Sequence, residues 1–291
     1  MSVAPSTLSF GDRVVAIDAK GHKYYFTLSE RSALQTHQGH TPHTDFVGKE
    51  EGSIVVNSKG AQYVVFRPSL AETGVNMPRG AAVVYPKDAA AIVLAGDIKP
   101  GDRVVEIAAG SGALTSYLLR AVGSEGHVHS FEARAGFAEI ATKNVESMAP
   151  QGARNWTLTV QEVVPTTPLP ECDVVVLDLL KPWDLLGAVS RALRSGGHLV
   201  AYVTTTTQMS ELVEGLRDSG DWFEPSAHEV FWRDWHVLGL SVRPSHSTQS
   251  HTGFVVAARR MSHGTVAPVR KRRSSKSAYS TKPNTSEVLT P

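Results

Sequence analysis

The chain has 291 residues, a formal net charge of +1, and 41% hydrophobic and 20% charged residues. This composition is ordinary for a soluble protein, gives room for one large domain plus a small one, and neither supports nor excludes a nucleic-acid partner. No apolar run reaches the roughly 18 residues of a membrane-spanning helix, and the first residues lack the pattern of a signal peptide. We therefore expect a cytoplasmic protein without membrane association, with the lone Cys172 as a buried thiol in a reducing compartment.

Short β-branched or aromatic runs, separated by turn sequences, characterise residues 1–70. These runs are Arg13–Ile17, His22–Leu28, Ser53–Asn57 and Gln62–Phe66. The pattern predicts a small antiparallel N-terminal β domain. Between the hairpins, His37, His40 and His43 are evenly spaced, but no acidic or thiol partner completes a metal-ligand set. We expect this stretch to be a surface loop and assign no metal site.

The connector Pro68–Asp88 leads to a predicted helix over Ala89–Ala95, for which Asp88 is the expected N-cap. Tyr85 and Lys87 are either a packing anchor and a surface charge or the lining of a cleft, because they immediately precede the next domain.

Strands and helices alternate regularly from Gly101 onward. The predicted strands are Arg103–Ile107, His127–Phe131, Thr157–Val160, Val174–Leu179 and His198–Val203, and the predicted helices are Leu114–Ala121, Arg134–Ser147, Trp183–Leu193 and Gln208–Asp218. This alternation predicts a second domain, residues 71–261, on a largely parallel sheet with helices on both faces. Two late β runs without a helix between them, Trp235–Val242 and Phe254–Arg260, predict an antiparallel hairpin at the sheet edge.

The turn after the first strand of this domain is the predicted ligand site. Glu106 ends the strand, small residues occupy Gly110–Gly112, and a helix begins near Ala113. Small residues let the backbone approach a ligand closely, and the first amides of a helix point toward it.

Ligands of open α/β sheets bind beyond the carboxyl ends of the strands. Four acids fall there: Glu106, Glu132, Glu162 and Asp178. A carboxylate after the second strand can bind a ribose diol, and one after the third strand can meet an adenine amino group, so an adenosine-type cofactor is indicated. A dinucleotide, as in a dehydrogenase, requires a third glycine where Thr115 stands. Negative charge at Glu106 also suits the cationic amine of a methionine moiety, which favours S-adenosylmethionine.

Together these residues resemble the tRNA (adenine-58-N1)-methyltransferase family in its single-gene form. The resemblance spans about Gly11 to Arg260 and rests on Met77–Gly80, Tyr85–Asp88, Glu106–Thr115, Phe131–Arg134 and Leu177–Leu179 followed by Pro182 and Trp183. It implies a class I methyltransferase fold (α/β, Rossmann-like, a mostly parallel seven-stranded sheet with an antiparallel edge hairpin), the small N-terminal β domain, and a homotetramer. The implied reaction moves the methyl group of S-adenosylmethionine to N1 of adenine 58 in the T-loop of tRNA, giving 1-methyladenosine.

Site residues follow from the resemblance and from the acids at the strand ends. The cofactor set is Glu106, Gly110, Ser111, Gly112, Ala113, Leu114, Glu132, Phe137, Glu162 and Asp178. Asp178 is the expected catalytic residue, placed between the methyl donor and the target base. Arg79 and Lys87 are candidates for tRNA phosphate and Tyr85 for the flipped base, although packing or surface charge would also account for all three.

Some features depart from the family pattern or leave alternatives open. Ala108 stands where the family usually has glycine, which is tolerated if its φ is negative, and Glu162 replaces the usual aspartate. A noncatalytic tRNA-binding subunit and a class I methyltransferase acting on another substrate, such as an isoaspartyl protein or a small molecule, remain alternatives. Residues 262–291 contain the basic cluster Arg270–Arg273 and are expected to be a disordered tail, with nonspecific RNA contact as the alternative.

Overall fold

A computed structural model describes residues 7–80, 82–148 and 152–268. Most of the expected disordered tail, including Arg270–Arg273, lies outside the described residues. None of the helices in the described ranges combines the length and the apolar character that crossing a membrane requires.

Antiparallel strands build the N-terminal domain. They are β1 (Arg13–Asp18), β2 (Lys23–Thr27), β3 (Ala33–Thr36), β4 (Gly39–Pro42), β5 (Ile54–Val56) and β6 (Gln62–Phe66). A sheet of order β2-β1-β6-β5 buries one face in an apolar core that includes Val14, Phe46, Tyr63 and Val65, while β3 and β4 form a separate hairpin. The predicted small β domain is confirmed.

The histidine-rich stretch forms the β3–β4 hairpin and the turn after it, so the expectation of a surface loop is wrong for part of it. His37 and His40 are exposed. His43 is buried and stacks on Phe26, with ring centroids 4.7 Å apart. The Ser29 amide donates to His43 Nδ1 at 3.1 Å, and burial lowers the pKa of His43. His43 is therefore a core residue of the β domain.

Two helices, α1 (Leu70–Asn76) and α2 (Pro86–Ala95), connect the domains. Helix α1 begins with a capping box, and its Glu72 also pairs with Lys23 of the β domain, with 2.6 Å between Nζ and Oε1. Helix α2 begins earlier than predicted, with Tyr85 at its N-cap and Pro86 in the first turn. Asp88 lies inside the helix, so its predicted role as N-cap is wrong.

The second domain is a seven-stranded sheet covered by helices. Its strands are β7 (Arg103–Ile107), β8 (His127–Glu132), β9 (Trp156–Val160), β10 (Cys172–Leu177), β11 (Leu193–Val203), β12 (Ser226–His228) and β15 (Phe254–Arg259), and its helices are α3 (Ala113–Val122), α4 (Ala135–Met148), α5 (Leu186–Ala192) and α6 (Thr206–Ser219). The strand order is β12-β15-β11-β10-β7-β8-β9, and only β15 runs antiparallel to its neighbours.

Each face of this sheet has its own apolar core. Residues of α5 and α6 pack on one face together with Cys172, which is buried as predicted. Residues of α2 and α3 pack on the other face. The predicted fold class is confirmed, because the parallel strands and two-sided helices follow directly from the alternation in the sequence.

The late β runs pair differently from the prediction. Trp235–Val242 forms its own hairpin from β13 (Trp235–Leu238) and β14 (Ser241–Pro244), separate from the main sheet. The edge partner of β15 is instead β12, which is short, exposed and polar and so carries no strand signal in the sequence. Large apolar side chains of the β13–β14 hairpin remain exposed.

Candidate active site

A cavity of about 320 Å³ opens at the carboxyl ends of the parallel strands. Its lining comprises Ile107, Ala108, Phe131, Glu132, Ala133, Arg134, Gln161, Glu162, Val163, Asp178, Leu179 and Leu180. The structure therefore brings Glu132, Glu162 and Asp178 together at one cavity, as their positions after successive strands predict. Glu106 is fully buried at the end of β7, where it interacts electrostatically with Asp178 and Glu132.

The turn between β7 and α3 depends on two glycines in left-handed conformations. Gly110 has a φ of 58° and Gly112 a φ of 80°. A Cβ at Gly112 would lie 2.9 Å from the Val145 side chain and 3.0 Å from the Ala141 carbonyl, so the packing of α4 on this turn requires glycine. A Cβ at Gly110 would meet nothing within 4 Å, which leaves open space where a ligand can approach the backbone.

Ala108 also has a positive φ, 73°, which contradicts the expectation of a negative value. Two hydrogen bonds hold this conformation: the amides of Ala108 and Ala109 both donate to the Phe131 carbonyl, at 2.9 and 3.0 Å. The left-handed conformation costs an L-residue about 1–2 kcal/mol. The Ala108 methyl group therefore lines the cavity on a strained backbone.

Glu132 ties the end of β8 to the turn. Its Oε2 accepts from the Gly110 amide at 2.9 Å, and its Oε1 accepts from the Arg134 amide at 3.1 Å and from Arg134 Nε at 2.8 Å. Burial by itself would raise the pKa of Glu132, but these donors outweigh burial and lower it. Glu132 is thus a carboxylate with three of its four lone-pair sites used, and its Oε2 keeps one for a ribose hydroxyl group. The Arg134 guanidinium also lies 3.7 Å from the centre of the Phe137 ring.

Glu106 has one satisfied and one unsatisfied oxygen. Its Oε2 accepts from Thr115 Oγ1 at 2.7 Å and from Ser130 Oγ at 2.5 Å. Its Oε1 is buried and has no hydrogen-bond partner among the described residues. Burial, together with the charges of Asp178 and Glu132, raises the pKa of Glu106 to about 7. A cationic group bound nearby would favour the ionised form of this side chain.

Asp178 directly follows β10, and its amide donates to the Ile107 carbonyl at 3.2 Å. The side chain is half-buried at the cavity. Burial first, and the charge of Glu132 second, raise the pKa of Asp178 to about 6. The carboxylate form still predominates at neutral pH.

The three tRNA candidates occupy very different environments. Arg79 is exposed, and Tyr85 is half-buried at the start of α2. Lys87 is buried, and its ammonium donates to Asp88 Oδ1 at 2.7 Å, to the Val230 carbonyl at 2.8 Å and to Thr252 Oγ1 at 2.6 Å. A lysine has three donors, and all three are used. The predicted contact between Lys87 and tRNA phosphate is therefore wrong for this conformation.

The structure also reveals residues that sequence reasoning missed. Asp88 accepts from both Thr252 Oγ1 and the Tyr202 hydroxyl group, which completes a buried polar network around Lys87. Asn144 donates to the Pro78 and Ser111 carbonyls, each at 2.8 Å, and so joins the connector to the cofactor turn. An asparagine on the apolar side of a helical pattern was the available signal for this contact.

The strand order, the glycine turn and the acids of the cavity define a class I methyltransferase. A family model described as tRNA methyltransferase complex GCD14 subunit matches residues 63–284, and one described as TrmI-like N-terminal matches residues 7–55. The chain therefore belongs to the tRNA (adenine-58-N1)-methyltransferase family, which confirms the resemblance seen in the sequence.

Individual relatives agree with this assignment. The chain is 37% identical over 246 residues to the tRNA (adenine(58)-N(1))-methyltransferase TrmI of Thermus thermophilus, covering 84% of this chain and 94% of that protein. It is 30% identical over 234 residues to the tRNA (adenine(57)-N(1)/adenine(58)-N(1))-methyltransferase TrmI of Methanocaldococcus jannaschii, covering 72% of this chain and 83% of that protein.

Solved structures show the same fold. A SAM-dependent O-methyltransferase from Thermotoga maritima superposes with a TM-score of 0.83 at 28% identity, covering 92% of this chain and 97% of that one. The tRNA (m1A58) methyltransferase TrmI from Aquifex aeolicus superposes with a TM-score of 0.76 at 24% identity, covering 88% and 100% of the two chains.

Replacement of Ala108 by glycine should stabilise the protein. Relief of about 1–2 kcal/mol of backbone strain exceeds the entropy that glycine adds to the unfolded chain, about 0.5–1 kcal/mol. We expect Ala108→Gly to raise the free energy of unfolding by about 0.5–1 kcal/mol, measured by urea denaturation. Ala109→Gly, at a neighbour without a positive φ, should destabilise the protein. Equal decreases in the free energy of unfolding of the two variants would contradict the backbone strain inferred at Ala108.

Glu106 should make stability fall with increasing pH. Its folded pKa of about 7 lies above the ordinary 4.5, so the folded state binds more protons than the unfolded state between those values. The contribution of Glu106 to stability is fully present below pH 4.5 and is lost as the pH rises through about 7, by up to roughly 3 kcal/mol. We expect Glu106→Gln to be more stable than the parent protein at pH 7.5 but not at pH 4.5, by urea denaturation without cofactor. Parallel pH profiles of the two proteins would refute this assignment.

Proposed function

We propose that this chain transfers the methyl group of S-adenosylmethionine to N1 of adenine 58 in the T-loop of tRNA, giving 1-methyladenosine. The observation that carries the proposal is the position of Asp178, which lies at the carboxyl end of β10 on the cavity that Glu132 also lines. Membership of the tRNA (adenine-58-N1)-methyltransferase family supports the choice of cofactor and substrate.

The residues of the turn fit the cofactor. The sulfonium of S-adenosylmethionine supplies an electrophilic methyl group when this cofactor is bound. The open space at Gly110 accommodates a close backbone approach, and Glu132 Oε2 has a lone pair left for a hydroxyl group of the ribose diol. The unsatisfied oxygen of buried Glu106 provides negative charge for a cationic amine. Phe137 and Glu162 are proposed to flank the adenine, since Glu162 lines the cavity and Phe137 contacts Arg134 beside it.

Asp178 is proposed to orient the target base. N1 lies on the Watson–Crick edge of adenine, so the base must leave its stack to react. The Asp178 carboxylate would accept a hydrogen bond from the 6-amino group, which directs N1 toward the methyl group and stabilises the positive charge that develops on the ring. Neutral N1 already carries the attacking lone pair, so the site needs no strong base. Since the pKa of Asp178 is about 6, methyl transfer should decline below that pH.

Two substrate contacts remain candidates. Tyr85, half-buried at the start of α2, is proposed to bound the flipped base, and exposed Arg79 is proposed to contact phosphate. An intact Asp178 and cofactor turn argue against a noncatalytic subunit, which would have no reason to keep both.

The central test is methyl transfer to tRNA. With tritiated S-adenosylmethionine and unmodified tRNA, the protein should label adenine 58, as mapped by nuclease digestion. Asp178→Asn should lower kcat by about 10²–10³-fold, the usual effect of removing a group that stabilises developing charge. Asp218→Asn, an exposed aspartate on α6, is the matched control and should leave kcat unchanged. Binding of S-adenosylmethionine without methyl transfer to any RNA would refute the proposed catalytic function.

We also propose a homotetramer, in the cytoplasm where a tRNA substrate is found. The β13–β14 hairpin and the segment before it expose large apolar side chains: Phe231, Trp232, Trp235, Val237, Leu238, Leu240 and Val242. Monomeric soluble proteins rarely leave so much contiguous apolar surface in water. A second copy of the chain is the occupant we propose for this hairpin.

Charged substitutions in the hairpin should dissociate the assembly. We expect the double variant Leu238→Glu and Leu240→Glu to have a smaller mass than the parent protein in light scattering, because the introduced carboxylates could not be buried. Leu94→Glu is the control, since Leu94 is an exposed leucine on α2 outside the hairpin. A parent mass equal to one chain of 31.3 kDa would contradict the proposed tetramer.

A further inference from the structure

We propose that Gln208 is a positioning residue that holds the loop carrying Asp178. The inference rests on the proposed function, in which Asp178 orients the target adenine. Gln208 lies in the first turn of α6, and its side chain reaches from that helix to the segment after β10. It touches neither the reacting atoms nor the cofactor set, so its effect on the reaction would pass through the loop.

The oxygen of the Gln208 side-chain amide is used for helix capping. Its Oε1 accepts from the backbone amides of Thr204 and Thr205, both at 3.1 Å, and the backbone N–H of Gln208 donates to Thr205 Oγ1 at 3.2 Å. This reciprocal pair is a capping box, which satisfies amides that the first turn of a helix leaves free. Capping requires only an acceptor at the end of the side chain.

The nitrogen of the same side-chain amide makes a hydrogen bond that capping does not require. Gln208 Nε2 donates to the Leu180 carbonyl at 2.8 Å, across a separation of 28 residues in sequence. Leu180 follows Asp178 by two positions, and its own side chain is 76% exposed, so packing does little to hold it. The amide of Asp178 anchors the near end of this loop on Ile107. Gln208 thus anchors the far end.

Thr204, next to the helix cap that Gln208 completes, is itself held by a hydrogen bond from His251. His251 Nε2 donates to the Thr204 carbonyl at 3.0 Å, and His251 Nδ1 donates to Glu229 Oε1 at 2.6 Å. Both partners are acceptors, so the two bonds together require a proton on each ring nitrogen. The hydrogen bond to Glu229 raises the pKa of His251, with Lys87 as an opposing charge. Asp178 is therefore linked through Gln208 to a segment that is fixed independently.

The chemistry of residue 208 allows the two roles to be separated. A capping box works equally well with glutamate or glutamine. Only the amide can donate to the Leu180 carbonyl, whereas a carboxylate would face that oxygen with a second acceptor. Gln208→Glu should therefore keep the cap and lose the link to the loop. Thr205→Ala does the reverse, since it removes the hydroxyl acceptor of the cap and leaves the Gln208 amide in place.

The experiment compares methyl transfer to tRNA by these variants. Gln208→Glu should lower kcat about tenfold to a hundredfold, because small misplacements of a positioning group are costly. Its dissociation constant for S-adenosylmethionine should change less than twofold, and its melting temperature should match that of Gln62→Glu, a charge-matched variant at an exposed position of β6. Thr205→Ala should melt at a lower temperature with little change in kcat.

Hydrogen exchange gives a readout that does not depend on activity. In Gln208→Glu, peptides that cover residues 178–181 should exchange faster than in the parent protein, while the second half of α6 should not change. Unchanged exchange in that loop, or an unchanged kcat in Gln208→Glu while Asp178→Asn is inactive, would overturn the positioning role and leave the proposed function intact. An Asp178→Asn variant with the kcat of the parent protein would instead refute the role proposed for Asp178, and cofactor binding without methyl transfer by the parent protein would refute the proposed function.

Discussion

The Glu132 carboxylate is the interaction on which the site depends. It lies at the end of β8 and holds the Gly110 amide on one oxygen and Arg134 on the other. This arrangement fixes the glycine turn against the neighbouring strand and leaves one ionised carboxylate at the cavity. Burial raises the pKa of both Glu106 and Asp178, and the charge of Glu132 raises both further. A single buried anion thereby fixes the geometry of the turn and favours the protonated forms of the acids around it.

The parts of the site that could be predicted from sequence follow from the topology of a parallel sheet. When strands alternate with helices, their carboxyl ends meet at one edge, so acids after successive strands must approach one another. This topology alone places Glu132, Glu162 and Asp178 at one cavity, before any side-chain contact is known. The turn was equally predictable, because small residues between a strand and a helix are typical of a backbone that a ligand approaches closely.

Other features depend on contacts that a linear pattern does not contain. Lys87 has the sequence context of a surface charge, yet its partners, Val230 and Thr252, are more than a hundred residues away. The positive φ of Ala108 depends on two amides that share the Phe131 carbonyl, and no property of alanine predicts this conformation. Strand β12 is polar and short, so its place at the sheet edge is set by β15 rather than by its own sequence.

The buried ammonium of Lys87 also has a topological consequence. It joins the Val230 carbonyl to the Thr252 hydroxyl group, so the chain between those residues leaves the domain and returns to it at a single point. This segment behaves like an insertion whose two ends are held together. The entropic cost of closing such a loop grows only slowly with its length. Evolution could thus lengthen, shorten or recode the β13–β14 hairpin with little effect on the sheet. The exposed apolar surface of the hairpin and the cavity at the strand ends can therefore diverge separately within one domain.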